Sequence, residues 1–479
     1  ERQHQQQDLQ NLAELPRDLD DRQRLAQVAL RQARFHQQTS DYTQAILYAR
    51  QVLETAEAAE LQAAGLLELG RALYRQANYQ QSRHELEQAL LLAPLESGLA
   101  AEILQSLTIT TLYQGDYDKS REYLEQTRAI VRKTGNRQVE ANLLHSLGTM
   151  AMETDPNANH YFEQSLEIYR EIGDRRGEAQ SLQQLGFFHD RRSQFETAHN
   201  YYSRAHELYK LVGDRLGQGW MLNALGSLAQ YQGKYAQARP FFEQALEIYL
   251  NIHVPWGQAI SLHNLGVTFL SLGQYQRAGE NLQRALEICQ AAGDRWGEIW
   301  RMTYLGLLAL QTGDAAQALD LTTRALLLSE QVDARRERAM TLTHRAHALS
   351  ALGRQVEALH DYELSRSLRN DLGETHLSLE PLAGMARVQL TLGNLAAARQ
   401  SAAELAEAIQ QNPPLFGTDE PLRLYLSCIQ VFEASGEVEQ AASLREKARA
   451  LLQTRAAELD EETRSDYLSI PIHQMLLKN

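Results

Sequence analysis

The chain has 479 residues, 43% of them apolar and 23% charged, a balance too apolar for disorder and too polar for a membrane-embedded protein. Its formal charge of −14 repels nucleic-acid phosphates and anionic lipid, so neither nucleic acid nor membrane is expected as a partner. Repeats are the first thing to look for in a chain this long.

From the N-terminus, Ala33, Gly70, Thr108, Gly148, Gly186, Gly226, Gly266, Gly306, Ala346, Ala386 and Ile429 mark eleven units, 39.6 residues apart on average and 40 apart from Gly186 to Ala386. Such a period predicts one supersecondary unit stacked on itself. Each unit reads as two amphipathic helices, A and B. Around Gly226, the residues Met221, Leu222 and Leu225 share a face, Gly233 ends helix A, and Phe242, Ala245, Leu246 and Tyr249 form the stripe of helix B. Twelve residues after the marker another small residue recurs, as Ala45, Ser82, Ser120, Ala198, Ala238, Ala278, Ala318, Ala358, Ala398 and Ala441. Helix B must approach helix A there. Ala158 takes that role in the fourth unit, whose turn, Glu153 to Asn159, is short.

Between units, Gly173-Asp174-Arg175, Gly213-Asp214-Arg215, Gly293-Asp294-Arg295 and Gly135-Asn136-Arg137 place Gly where a left-handed C-cap is needed and Asp or Asn where the next helix needs an N-cap. Strands are not expected, because no segment alternates with period two. At the far end Ile429 replaces the small marker, Asn412-Pro413-Pro414 and Pro421 interrupt, and the spacing stretches to 43. The last stretch, Leu459 to Asn479 with Pro471, is expected to fold as a short helix over the final unit.

The sequence Gly or Ala, then Gly seven later, then Tyr or Phe (Tyr42, Tyr79, Tyr117, Phe195, Tyr235, Tyr275), then Ala resembles the tetratricopeptide repeat in its form of about 40 residues. The resemblance implies an all-α tetratricopeptide-type α-solenoid, a right-handed superhelix of about eleven helix pairs over residues 1–452, with 453–479 as a C-terminal capping segment. Narrower still, the opening QQQDLQNLAELPRDLDD and the ending YLSIPIHQMLLKN resemble the sensor arrays of bacterial signal-transduction ATPases with numerous domains (STAND proteins), the class of the maltose-regulon activator. That implies a sensor taking an inducer molecule, or a partner peptide or protein, and relieving inhibition of a nucleotide-binding module elsewhere in the parent chain. The start at Glu1 rather than Met fits an excised piece, and no Gly-x-x-x-x-Gly-Lys-Ser/Thr run occurs within it.

Catalysis is not expected. Of the 15 His residues none forms a His-Glu-x-x-His pair, and His344 and His347 lack a third ligand. No nucleophile elbow is present. Cys289 and Cys428 are too few for a disulfide framework or zinc site. No cofactor and no metal are therefore expected. With no signal core in Glu1 to Gln10 and no apolar run of about 18 residues, a cytoplasmic location is expected.

In the tetratricopeptide pattern helix A lines the concave side. Applied here, that wall holds Gln183, Phe187 and Arg191; Trp220, Asn223, Ser227 and Tyr231; His263 and Leu270; and Trp300, Thr303 and Leu307. An exposed apolar patch of this kind, rimmed by polar groups, is the expected ligand site. Arg34, Arg71, Tyr74, Arg75 and Arg387 fall on the same wall in the outer units, suited to carboxylates. The competing reading is a free-standing scaffold for an extended peptide.

Overall fold

The computed structural model describes residues 22–38, 41–76, 78–152, 155, 157–411, 415 and 418–478. The segment before Arg22, Glu153 and the run Asn412-Pro413-Pro414 lie outside the described residues. The chain divides into two compact units, Glu1–Met221 and Leu222–Asn479. Among the described residues there are twenty-four helices and no strand.

The first unit contains α1 (Arg22–Gln38), α2 (Tyr42–Thr55), α3 (Ala59–Arg75), α4 (Tyr79–Leu92), α5 (Gly98–Tyr113), α6 (Tyr117–Thr134), α7 (Arg137–Ala151), α8 (Asn159–Ile172), α9 (Arg175–Asp190), α10 (Phe195–Val212) and the start of α11 (Arg215–Tyr231). The second continues α11 and adds α12 (Tyr235–Asn251), α13 (Pro255–Ser271), α14 (Tyr275–Ala292), α15 (Arg295–Gln311), α16 (Ala315–Gln331), α17 (Arg335–Ala351), α18 (Gln355–Asp371), α19 (Leu379–Thr391), α20 (Leu395–Gln411), α21 (Pro421–Ala434), α22 (Val438–Ala457), α23 (Glu461–Ser469) and α24 (Pro471–Leu477). Odd numbers up to α21 are A helices and even numbers up to α22 are B helices, eleven pairs in all, each carrying one marker residue.

Close approach explains the markers. A Cβ built on Gly70, Gly148, Gly186, Gly226, Gly266 or Gly306 would come within 2.5–2.7 Å of Leu86, Phe162, Tyr202, Phe242, Leu282 or Thr322 on the following B helix. Only a hydrogen fits there. The second small residue is sealed in the same contact: Ala198, Ala238, Ala278, Ala358 and Ala398 are fully buried. Ser82 and Ser120 also donate their hydroxyls to the carbonyls of Gly70 and Thr108, at 2.8 and 2.9 Å. The turns follow their chemistry. Gly173, Gly213 and Gly293 have φ of 74°, 63° and 68°, the left-handed region glycine occupies without strain. Asp174 then accepts from the amides of Arg176 and Gly177, Asp214 from Gly217, Asp294 from Gly297, and Asn136 from Val139, satisfying donors that each helix start leaves open.

A second set of glycines escaped the sequence reading. Gly177, Gly217 and Gly257 lie under the rings of Tyr169, Tyr209 and Tyr249 on the preceding B helix. Within the second unit the chain also returns on itself. Tyr467 of α23 packs near Tyr235 of α12 and beside His473. Gln274 Nε2 donates to Asp466 Oδ2 at 3.1 Å. Tyr235 and Leu272 share one buried cluster with α20 to α24. The last helices therefore cover earlier repeats of their unit as well as the final pair.

Candidate functional site: the A-helix wall

Neighbouring A helices are tied together by side chains about one repeat apart. In the first unit Arg34 Nε bonds Glu68 at 3.2 Å, and Arg71 bonds Glu68 at 3.3 Å and Glu102 at 3.0 Å. Two B-helix tyrosines reach the same face. Tyr169 donates to Asn142 Oδ1 at 2.5 Å and Tyr209 to Gln183 Oε1 at 2.8 Å. Gln183 is thus engaged, whereas Phe187 and Trp220 are 42% and 44% exposed. Arg191 is also exposed, its guanidinium 5.7 Å from the Phe187 ring centroid, within cation–π range. Burial pushes the carboxyl of Asp190 up to about 6, against the opposing hydrogen bond from Tyr202.

The second unit is different. Tyr231 is 45% exposed and Ser227 half-buried, but Asn223, His263, Leu270, Thr303 and Leu307 are all buried. Asn223 Nδ2 donates to Ser261 Oγ at 3.0 Å, and the Thr303 and Thr341 hydroxyls meet at 2.9 Å. Trp300, half-buried, donates Nε1–H to Glu337 at 3.3 Å and stacks parallel to Tyr304. The expected patch is therefore not a continuous exposed surface. Trp300 is met by a carboxylate, Glu337, and by two rings, His263 and Tyr304. Leu270 and Leu307 do come together, with Val267, around a cavity of about 50 Å³. Its other walls are the chain's own Glu420, Tyr467, Ile470 and His473, and that cover is why these leucines are buried.

Spacing alone did not flag the most charged part of this wall. A ladder of rings runs His263, Tyr304, His344, His347, Tyr362, with successive centroids 5.0 to 5.9 Å apart. Into it enters the segment before α21. Asp419 accepts from the Tyr304 hydroxyl at 2.7 Å and from His344 Nε2 at 3.1 Å. Glu380 accepts the backbone N–H of Asp419 and, at 3.4 Å, that of Glu420. Burial and the neighbouring Asp419 raise the Glu380 carboxyl to about 7. Burial acts against His344, yet its bond and charge contact with Asp419 prevail and raise its pKa. Asp419 is also penalised by burial, but the bond and charge of His344 and the Tyr304 hydroxyl hold it low. The available signal was His344, one repeat after Tyr304; nothing in the spacing brought Asp419 to them.

Among the described residues no group of three or more His, Cys, Asp or Glu is arranged to hold a metal ion. No described helix is long and apolar enough to cross a membrane.

The tetratricopeptide repeat family matches residues 99–171, 139–211, 191–251 and 257–331. No curated protein matches the sequence. A Rap protein complexed with competence and sporulation factor aligns with a TM-score of 0.55 at 15% identity, over 73% of this chain and 99% of that one. The Rap conjugation gene regulator of plasmid pLS20, complexed with the Phr* peptide, aligns at 0.51 and 14% identity, over 75% and 97%. A signal-transduction ATPase with numerous domains and a tetratricopeptide repeat sensor, from Pyrococcus horikoshii, aligns at 0.48 and 13% identity, over 92% and 74%. Repeat spacing, helix pairing and family match agree: residues 99–251 and 257–331 are tetratricopeptide repeats, and the chain folds as a tetratricopeptide-type all-α solenoid.

Proposed function

We propose that this array is the sensor of a bacterial signal-transduction ATPase with numerous domains, taking its inducer on the A-helix wall and relieving inhibition of a nucleotide-binding module in the parent chain. One observation carries the binding part. Phe187 and Trp220, on successive A helices of the first unit, keep 42% and 44% of their surface exposed, where aromatic surface is retained chiefly for contact with another molecule. The ATPase part is supported by the resemblance of the opening and closing segments. In this reading Gln183, Phe187, Arg191 and Trp220 form the binding wall of the first unit. On the second unit Ser227, Tyr231 and the half-buried Trp300 are what this wall still presents to a ligand, while Asn223, His263, Leu270, Thr303 and Leu307 are buried behind it. Residues 453–479 close the array, the location is cytoplasmic, and the chain binds without catalysing.

Two like-folded Rap proteins were solved with competence and sporulation factor and with the Phr* peptide, which favours a peptide as inducer. It also keeps a free-standing peptide scaffold as the second reading. Against an Asn-based backbone clamp, Asn223 is already engaged by Ser261.

A thermal-shift screen of short peptides and soluble metabolites tests the proposal on the wild type and on Phe187→Ala/Trp220→Ala. A ligand held by this wall stabilises the wild type and loses affinity roughly thirty-fold or more in the double variant, the equivalent of about 2 kcal/mol at an aromatic anchor. Both proteins should stay fully helical by circular dichroism. Stabilisers that act equally on both would move the site elsewhere.

A further inference from the structure

On the second unit's wall one column repeats every 40 residues: Ser227, Val267, Leu307, His347, Arg387 and Ser427. Between its two serines it passes from apolar, at Val267 and Leu307, to cationic, at Arg387. The half-buried Arg387 donates from one terminal nitrogen to Ser427 Oγ at 2.5 Å, and its other lies 3.5 Å from His347 Nδ1. A third contact joins it to the Tyr362 hydroxyl. All three partners are uncharged, since burial, aided by Arg423, Arg387 and His344, holds the His347 pKa well below its ordinary value.

The next charged group is another cation, Arg423, and it already holds Glu420 through two bonds of 2.7 and 2.9 Å. Glu380 also lies near Arg423 but keeps its proton up to about pH 7, so below that the two guanidiniums share one ionised carboxylate, leaving a single positive charge in a partly desolvated place, and burial pulls the Arg387 pKa down. The wall arginines Arg34 and Arg71, by contrast, each meet a carboxylate directly. A guanidinium carries five N–H donors. With three engaged, two remain, enough for one bidentate carboxylate.

We propose that Arg387, backed by Ser427, His347 and Tyr362, is a subsite for a single carboxylate of the ligand. It rests on the reading of the A-helix wall as the ligand surface and adds the ligand's charged group. Charge selects the class: one carboxylate neutralises the excess, whereas a phosphate dianion would reverse it.

The experiment titrates the whole chain with sodium acetate against sodium chloride at matched ionic strength, with acetamide as the uncharged control, and reads the melting temperature. Acetate should raise it saturably above chloride, and acetamide should not. Arg387→Gln should weaken the apparent acetate affinity at least ten-fold while the exposed-arginine control Arg324→Gln leaves it unchanged. Arg387→Lys, which keeps the charge but not the fork, should fall between and serves if the Gln variant folds poorly. Competition between acetate and an alanine tripeptide with a free C-terminus, or an amidated tripeptide bearing one Glu, then assigns the carboxylate to a chain end or a side chain. Equal effects of acetate and chloride on the wild type, or acetate affinity unchanged in both Arg387 variants, would overturn the subsite. No inducer is needed, so this result is independent of the Phe187 and Trp220 outcome.

Discussion

A missing methyl group decides much of the packing. At Gly226 an added Cβ would sit 2.6 Å from the Phe242 ring, so Gly226→Ala must push that ring aside. Overpacking costs about 1–3 kcal/mol, and the better helix propensity of Ala returns about 1 kcal/mol at most. A net loss of up to about 2 kcal/mol is expected by urea denaturation; a variant more stable than wild type would show that α11 and α12 are not in contact there. A second residue-scale prediction concerns pH. Glu380 titrates near 4.5 when unfolded and about 7 when folded, so the folded state binds its proton more tightly. Stability therefore falls as pH rises through that window and is level above it. His344, raised from 6.5, adds loss in the same direction above that value. Asp419, lowered from 3.8, contributes stability that disappears only as pH falls below it. Because burial lowers the pKa of His145, His263, His347 and His473 and so adds an opposite slope to both proteins, the effect is read as a difference: the urea midpoint of the wild type relative to Glu380→Gln should decline from pH 5 to about 7 and level above it. An unchanged slope in the variant would remove Glu380 as the cause.

At the scale of helices the turns link one repeat to the next. Asp174 caps α9 through the amides of Arg176 and Gly177 and also receives Gln138 from α7 at 2.9 Å. Asp174→Ala should lose about 1–2 kcal/mol, measured by chemical denaturation; no change would mean the cap is redundant. These elements were legible in the sequence. The Gly-Asp-Arg turns and the 40-residue spacing of small residues each express a local need, a left-handed turn or a close contact, that few residue types meet. Gly177, Gly217 and Gly257 went unread because their partners Tyr169, Tyr209 and Tyr249 become neighbours only when the turn closes.

Over the length of the second unit the sequence was less informative. Periodicity says which face of an A helix points away from its B helix but not what covers it. Leu270 and Leu307 are on the expected face, yet residues far along the chain bury them. Phe187 and Trp220, read from the same spacing, are exposed. The return of the last helices gives a long-range prediction. Tyr467 is 2% exposed, and truncating so large a buried ring costs about 3–5 kcal/mol. Tyr467→Ala should therefore speed hydrogen exchange around Leu272 and Gly273, nearly 200 positions earlier, as well as in α23 and α24. Exchange confined to α23 and α24 would contradict that contact.

The most direct measurement of the central claim, that this array grips its ligand on the A helices, is hydroxyl-radical footprinting of the full chain with and without a stabilising ligand from the screen. Modification should fall at Phe187 and Trp220 and stay constant at Leu211, Leu250 and Leu327, which are exposed on B helices. Protection of those leucines with Phe187 and Trp220 unchanged would contradict it.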